Sequence, residues 1–501
     1  MVTQANLRFT IRRILNTFKL LFKNKMAIGG VIILIAFIFS AVAAPLLSPY
    51  GPKNQVAGRL AQPEWVMNFP DGYYLSKNVV VPSSPMITSP ASMQAWALTA
   101  PTSTIANLQE SYMPSSGFYT GSHPDGSILL TYTGDSPATV TVSEAIQYPY
   151  HGPPFQLIAH IHYMLTGASA TTPVGARIFI ERSQPTTQNQ PALQNYDLLK
   201  ENETISGQWL PSIALDSNNH DWVTQLNLPP FLGPQGVIFS AATSYRYGVQ
   251  FTFYGHQSVK VDDFQLQLYG TAWGLLGTNH LGYDVYTQTI YGARISLFVG
   301  LLAAGIGIGL GLVIGLLAGF LGRIVDEVLM RFTDMMLVIP ALPLLIVLVA
   351  VLGANIWNVI TIIGFLGWMG FARIVRSQVL TLRERPFIEA AKASGAGPGR
   401  IIVKHVFPNI VSLTYVNLAL SVPGAILTES ALAFLGLSDP SVVSWGNMFQ
   451  DIQTSGNLAS FPPTWWWVLP PGFGIALVSL SFVLIGYALD EVFNPRLRRR
   501  R

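Results

Sequence analysis

The residues of this chain best placed to do chemistry lie between two long apolar stretches, in the polar segment from Arg373 to Ile410. Pro386 suits the first turn of a helix, Phe387 to Ala393 its body, and Gly395 with Gly397 and Pro398 its end. Such a short helix would lie across a membrane, on its basic side. Ala390, Ala391 and Ala393 give it a small face that admits another protein closely, while Glu389, Lys392 and Arg400 charge the rim. That chemistry is docking, with no catalytic residue; by composition alone the segment also reads as a solvated loop. No Gly-Lys dipeptide occurs, so the chain lacks a P-loop for nucleotide phosphates. The absence of cysteine excludes thiolate chemistry, disulfides and Cys-ligated metal. His160 and His162 share a strand face, but without a third ligand they read as satisfied strand histidines, and no metal site is expected. Asn202-Glu203-Thr204 is the one N-glycosylation sequon found.

The elements that position this segment are set by hydrophobicity. Of 501 residues half are hydrophobic and 11% charged, against about 25% charged in soluble domains. Crossing hydrocarbon takes about 20 apolar helical residues. Six stretches qualify: 27–47, 295–320, 329–352, 356–375, 413–435 and 467–489. Residues 1–26 hold six Lys and Arg, 373–404 seven and the tail after Pro495 five, whereas 48–293 hold only eight in 246 residues. Positive flanks stay cytoplasmic, so both termini are expected inside and the long block between the first two spans outside. The net charge of +4 is too scattered for a nucleic-acid footprint. Ile11, Ile14, Leu15, Phe18, Leu21 and Phe22 recur at helical spacing opposite Arg8, Arg12, Lys19 and Lys23, as in an interfacial helix. Ala41-Val42-Ala43 resembles a signal-peptide cleavage site, but the preceding apolar run of about 18 residues exceeds the usual 7–15.

From Tyr50 to Tyr269 short alternating runs broken by Pro, Gly, Ser and Asn predict an antiparallel β-sandwich. The run from Val259 to Gly270, with Asp262 and Asp263, is similar to the closing strand of carbohydrate-binding jelly rolls. Binding glycan, docking a partner and shielding the pathway's mouth all remain open for this block. Within the spans, Gly307, Gly311, Gly315 and Gly319 flatten one helix face for close packing. Pro340, Pro343, Asn417, Ser421, Pro423 and Glu429 are the pathway candidates, Glu429 being expensive in a membrane unless it faces protein or water. Trp465, Trp466 and Trp467 are expected in the outer interfacial belt.

Glu389-Ala390-Ala391, then Gly395, then Pro408, resembles the EAA loop of permease subunits of ATP-binding cassette importers. Leu276-Gly277-Thr278-Asn279 with Gly282 and Asp284, Asp326-Glu327 with Arg331 and Asp334, Ala431 to Ser438, Ser444 to Phe449, Asn494 to Arg498 and Lys25 to Gly51 are similar to the dipeptide/oligopeptide branch. Departures are Asn279 and Tyr283, where that branch commonly has Asp and Arg, and His405, where the general pattern is aliphatic. The resemblance implies an all-α bundle of six transmembrane helices, the type I importer permease fold, with an inserted extracytoplasmic β-sandwich. Its expected parts are a cytoplasmic amphipathic helix at 1–26, a first span at 27–47, the sandwich at 48–272, a core at 273–489 with coupling loop 376–408, and a basic tail at 490–501. It assigns contact with an ATPase to Arg385, Phe387, Glu389, Ala390, Ala391, Gly395, Ala396, His405 and Pro408. The implied partners are a second homologous permease, two ATPases carrying ATP and magnesium, an extracellular substrate-binding protein and the lipid of the cell membrane. No cofactor is expected on this chain. The cargo it implies is a di- or oligopeptide, with oligosaccharide as the alternative. A transporter or channel working alone would predict inverted repeats and paired intramembrane charges, and neither is evident. A membrane-anchored glycan-binding or adhesion protein would leave the cytoplasmic loop unexplained.

Overall fold

The computed structural model describes residues 24–82, 87, 89–118, 126–182, 194–210, 215–218, 233–457 and 464–493. Most of the expected amphipathic N-terminal helix, and the basic tail from residue 494, lie outside the described residues. The chain divides into two compact units, one of residues 1–54 with 285–501 and one of residues 55–284.

The first unit is helical. Its long elements are α1 (Lys25–Val42), α2 (Val285–Leu321), α3 (Arg323–Val338), α4 (Ala341–Leu352), α5 (Ile356–Phe365), α6 (Met369–Arg383), α7 (Pro386–Ala393), α8 (Phe407–Phe434), α9 (Trp445–Thr454) and α10 (Trp465–Phe493). Five helical segments are long and apolar enough to cross a membrane: 25–42, 285–321, 356–383, 398–434 and 465–493. The stretch expected as a continuous third span is instead two helices, α3 and α4, bent by 89°. Proline is the cause. Pro340 lacks an N–H and forces Ile339 into extended backbone, φ −69 and ψ 127, which ends one helix and starts the next. The pair counts as a sixth span only if both halves cross together. Pro423, by contrast, sits buried inside an unbroken α8.

The four glycines of α2 have a direct steric role. A Cβ on Gly307 would stand 3.2 Å from the Gly364 carbonyl oxygen, on Gly311 2.7 Å from that of Trp368, on Gly315 2.6 Å from that of Ala372, and on Gly319 2.7 Å from Val379 Cβ. These atoms belong to the rod made by α5 and α6, so the stripe lets two backbones meet without intervening side chains. At the other end of α2, Gly292 and Gly474 make room for the fully buried Trp445 ring. That indole packs edge-on against Phe37, 5.7 Å between centroids, and donates from Nε1 to the Thr289 carbonyl at 2.9 Å. The expected tryptophan belt needs correction: Trp465 is exposed, whereas Trp466 and Trp467 turn into the helical core. One helix cannot present three consecutive residues to the same side, since each step rotates by about 100°.

The second unit is an antiparallel β-sandwich. Its short strands are β1 (Val79–Val81), β2 (Ala97–Thr99), β3 (Leu108–Met113) and β9 (Leu215–Asp216); one sheet has the order β3-β4-β11-β6-β9 with β1 also on β11, and the other β2-β5-β10-β7-β8. The strands that carry it are β4 (Ser127–Tyr132), β5 (Ala138–Tyr148), β6 (Gln156–Thr166), β7 (Val174–Arg182), β8 (Gln194–Glu203), β10 (Thr243–Phe253) and β11 (Gln257–Tyr269). Inward residues alternate along them, including Leu157, Ala159, Ile161, Tyr163 and Leu165 on β6, as period two requires. His162 is buried and its ring stacks on Phe118 at 3.9 Å, with Asp263 Oδ2 3.4 Å from Nδ1. His160 is only partly buried. Asn202 is exposed on β8, an edge strand.

Adding a methyl group separates the two kinds of glycine in α2. Gly315→Ala should cost about 1–3 kcal/mol through overpacking. Gly309→Ala, where a Cβ meets nothing within 4 Å, should be neutral or gain up to about 1 kcal/mol of helix propensity. The thermal transition should therefore fall for Gly315→Ala and hold or rise for Gly309→Ala; an equal response of the two purified variants would remove the packing role of the stripe.

Candidate coupling site

The short helix α7 forms where its sequence punctuation places it. Arg385 is extended (φ −80, ψ 142), Pro386 takes the first turn, and Glu389 falls in that turn, with Lys392 in the last. Acid at the start and base at the end both suit the helix dipole. At the far end Ser394 is the cap and Gly395 adopts φ +77. Gly395 N donates to the Lys392 carbonyl at 2.9 Å and Ala396 N to that of Ala391 at 3.1 Å, which is the paired Schellman arrangement. A Cβ at Gly395 would meet nothing within 4 Å, so this position needs glycine for its backbone angle and not for space.

One side chain pins this helix. Ile388 is fully buried, in a cluster that also holds Phe320 of α2, Val375 and Val379 of α6, Ile401 and Val406 in the following turns, and Ile410 of α8. Ala391 and Ala396 pack against the same cluster, so Ala391 belongs to the inner side of α7 and not to the free small face expected for it. Lys392 Nζ lies 5.9 Å above the Phe320 ring. Phe387, Glu389, Ala390, Lys392 and Ala393 remain exposed, and this is the surface available to a partner. His405 and Pro408 sit apart from that rim, in the joint that leads into α8. Residues 402–406 form one π turn, and the Asn409 side-chain amide donates to the His405 carbonyl at 2.6 Å. The wider turn accommodates Pro408, whose ring clashes with a regular helix and whose nitrogen donates nothing. Ile388 was not singled out from sequence; the available signal was the one large aliphatic residue of the segment, with small Ala391 three positions on sharing its face.

Charged contacts fasten the neighbouring helices. Arg376 of α6 grips Asp326 of α3 through two hydrogen bonds, Nη2 to Oδ2 at 2.7 Å and a second from Nε to Oδ1. Arg373 also pairs with Asp334 on the same two helices. The sequence showed these acids only as parts of a motif, without their arginine partners.

Among the pathway candidates, Pro340 and Pro343 are exposed at the bend into α4, and Asn417 and Ser421 are partly buried on α8. The Asn417 amide donates to the Leu413 carbonyl of its own helix at 2.9 Å. Glu429 is buried and accepts from Ser444 Oγ at 2.7 Å and from Ser430 Oγ at 3.4 Å. Ser444 also caps α9 by accepting from Asn447 N at 3.1 Å. A small cavity is lined by Met336, Ile339, Leu344, Leu366, Gly367 and Gly370, where the break between α3 and α4 faces the break between α5 and α6.

Breaking the Asp326–Arg376 grip should be measurable. Both groups retain some solvent, so their double-mutant coupling energy should be about 1 kcal/mol, and exchanging the two charges should restore part of it. A coupling indistinguishable from zero in thermal or denaturant unfolding would mean that the pair is ornamental to stability.

Comparison with known proteins agrees with this geometry. Residues 311–499 match the model of the binding-protein-dependent transport system inner membrane component, and residues 16–63 that of the N-terminal TM domain of oligopeptide transport permease C. The dipeptide transport system permease protein DppC of Alkalihalophilus pseudofirmus is 40% identical over 223 residues, 44% of this chain and 72% of the relative. A probable peptide ABC transporter permease, y4tQ of Sinorhizobium fredii, is 38% identical over 249 residues, 50% of this chain and 84% of the relative. The oligopeptide permease OppC of Bacillus subtilis is 37% identical over 224 residues, 44% of this chain and 72% of the relative. Among solved structures, TmCBM61 in complex with β-1,4-galactotriose overlaps 37% of this chain and 94% of its own at 11% identity and a TM-score of 0.21. No ligand of the insertion follows from a likeness so slight. With 40% identity over most of a dipeptide permease, and with a short helix mounted on the helical bundle, this chain belongs to the permease family of binding-protein-dependent transport systems, in its dipeptide and oligopeptide branch.

Proposed function

We propose that the chain is one of two homologous permeases that form a pathway for di- or oligopeptides across the cell membrane. Two ATPases stand beneath it, holding the ATP and magnesium, and an external binding protein delivers cargo from above. Six spans place both termini in the cytoplasm, with the sandwich outside. This topology follows from the asymmetry of basic residues, seven in 373–404 against eight in all of 48–293. The names of the relatives favour peptides over oligosaccharides as cargo.

The observation that carries the reading is the mounting of α7. Its exposed rim of Phe387, Glu389, Ala390 and Lys392 is open to a partner, while Ile388 ties its inner side into the buried cluster that holds residues of α2, α6 and α8. Movement of an ATPase that grips the rim therefore reaches these rods through the packed cluster that Ile388 enters. Binding energy is spent in shifting the bundle between inward-open and outward-open populations. Arg385, Gly395 and Ala396 hold the ends of this element, and His405 with Pro408 transmits its motion into α8. Pro340, Pro343, Asn417, Ser421, Pro423 and Glu429 are proposed to take part in the pathway or its gating.

Two substitutions test the assignment in reconstituted complexes. Glu389→Lys should weaken ATPase attachment about tenfold to a hundredfold, equivalent to about 1.4–2.8 kcal/mol, and uptake should fall with it. Ile388→Ala should leave the rim intact, preserving ATPase attachment and hydrolysis while uptake drops. Normal cargo uptake by both variants, or uptake by the chain without any ATPase, would sink the reading.

A further inference from the structure

The sandwich is asymmetric along its strands in a way that its core does not require. β11 has 13 residues, about 43 Å of extended chain at ~3.3 Å each. Its far end is closed by His256 and Asp135, 3.2 Å apart. Its near end is where the unit's two chain connections converge. There Gly58 N donates to the Gly270 carbonyl at 3.0 Å, Gln62 N to that of Thr271 at 2.8 Å and Glu64 N to that of Gly274 at 2.9 Å. Of the ten large apolar side chains that this unit exposes among the described residues, six belong to the near end: Trp65, Phe69, Tyr73, Tyr74, Leu275 and Leu281. Tyr74 is 71% exposed and Leu275 60%. The far end exposes Ile105, Ile205 and Tyr254.

The near-end aromatics are held outward. They ride on two 3₁₀ turns, Glu64–Asn68 and Pro70–Gly72, packed so tightly that a Cβ on Gly72 would stand 2.2 Å from the Val66 carbonyl oxygen. Trp65 Nε1 donates to the Leu275 carbonyl at 3.1 Å, and the Trp65 and Phe69 rings meet edge to face at 6.2 Å. Tyr73 stacks on His151 at 4.3 Å. Glu64 is neutralised by Lys77 at 2.7 Å, which leaves exposed Asp71 as the acid among these side chains. A rigid exposed set of Trp, Tyr, Phe and Leu has the composition of side chains that settle among lipid headgroups. Connectivity points to the same occupant. Leu281 precedes Val285, the first residue of the long apolar helix α2, by four residues, at most about 14 Å of chain.

We infer that this aromatic end is an interfacial collar that rests in the headgroup layer of the outer leaflet and fixes which end of the sandwich faces the membrane. The inference rests on the external placement proposed above. Because the chain has no cysteine, single cysteines report it cleanly in the full protein. Asn68→Cys and Asp71→Cys, both exposed between the aromatics, and Asp135→Cys at the far end would carry nitroxide labels in phosphatidylethanolamine–phosphatidylglycerol vesicles. Labels at 68 and 71 should show an oxygen-to-nickel-chelate accessibility ratio several-fold above that at 135. Adding Trp65→Ser, Phe69→Ser and Tyr74→Ser should return them toward water. Equal ratios at all three sites overturn the collar, and so does shielding from both probes, which means protein contact. Labelling of Asp135→Cys in intact cells by a membrane-impermeant thiol reagent tests the placement separately. If it labels from outside while 68 and 71 are watery, only the collar fails; if it is reached only after lysis, the external placement fails.

Discussion

Burial of Ile388 is the contact on which the coupling region depends. A helix of eight residues is marginal in water, because nucleation costs more than so few hydrogen bonds return. α7 therefore exists as a defined element only because its inner side is packed and both ends are closed. Ile388 joins residues from α2, α6 and α8 in one cluster. The Gly395 turn bonds the last carbonyls, and Lys392 covers the Phe320 ring. Dense packing transmits displacement instead of absorbing it, so a residue buried in a cluster shared by three rods is suited to passing on a push received at the exposed rim.

The rods themselves are brought together by what is missing from them. The stripe on α2 lets backbone meet backbone along α5 and α6, and Gly292 and Gly474 admit the indole of Trp445 where α1, α2 and α10 approach. Without a hydrophobic driving force between helices in lipid, close contact and internal polar pairing must hold the bundle. The polar pairing is visible as well. Glu429 and Ser444 tie α8 to the start of α9, and Asn24 reaches Glu491 to join the beginning of α1 to the end of α10 at 2.6 Å. The acid of α8 is thus held by hydroxyl donors in this conformation, which reduces the cost of carrying it there.

The inserted sandwich follows a different logic, that of an apolar core enclosed between two sheets. Its core is built from alternating residues of two sheets, with Tyr163, Tyr247 and Phe251 fully buried between them. Its helical neighbour shows no such period along α2, α8 or α10, whose surfaces are apolar nearly all round. A single chain therefore contains two solutions to burial, separated at residues 54–55 and 284–285.

Much of this was legible in the sequence because it is local. Runs of apolar residues marked the spans, period two marked β4, β6, β7, β10 and β11, and Pro386 with Gly395 bounded α7 before any neighbour was known. Those features depend on residues within a few positions of one another. The tertiary structure alone decided which residues turn inward: Ile388 and Ala391 beneath the coupling helix, Trp466 and Trp467 inside the bundle, Arg376 on Asp326 fifty positions away. It also decided that the third apolar stretch bends by 89°, since Pro340 announces a break but not its angle. These outcomes depend on which distant surfaces meet, and hydrophobicity and spacing carry no record of that meeting.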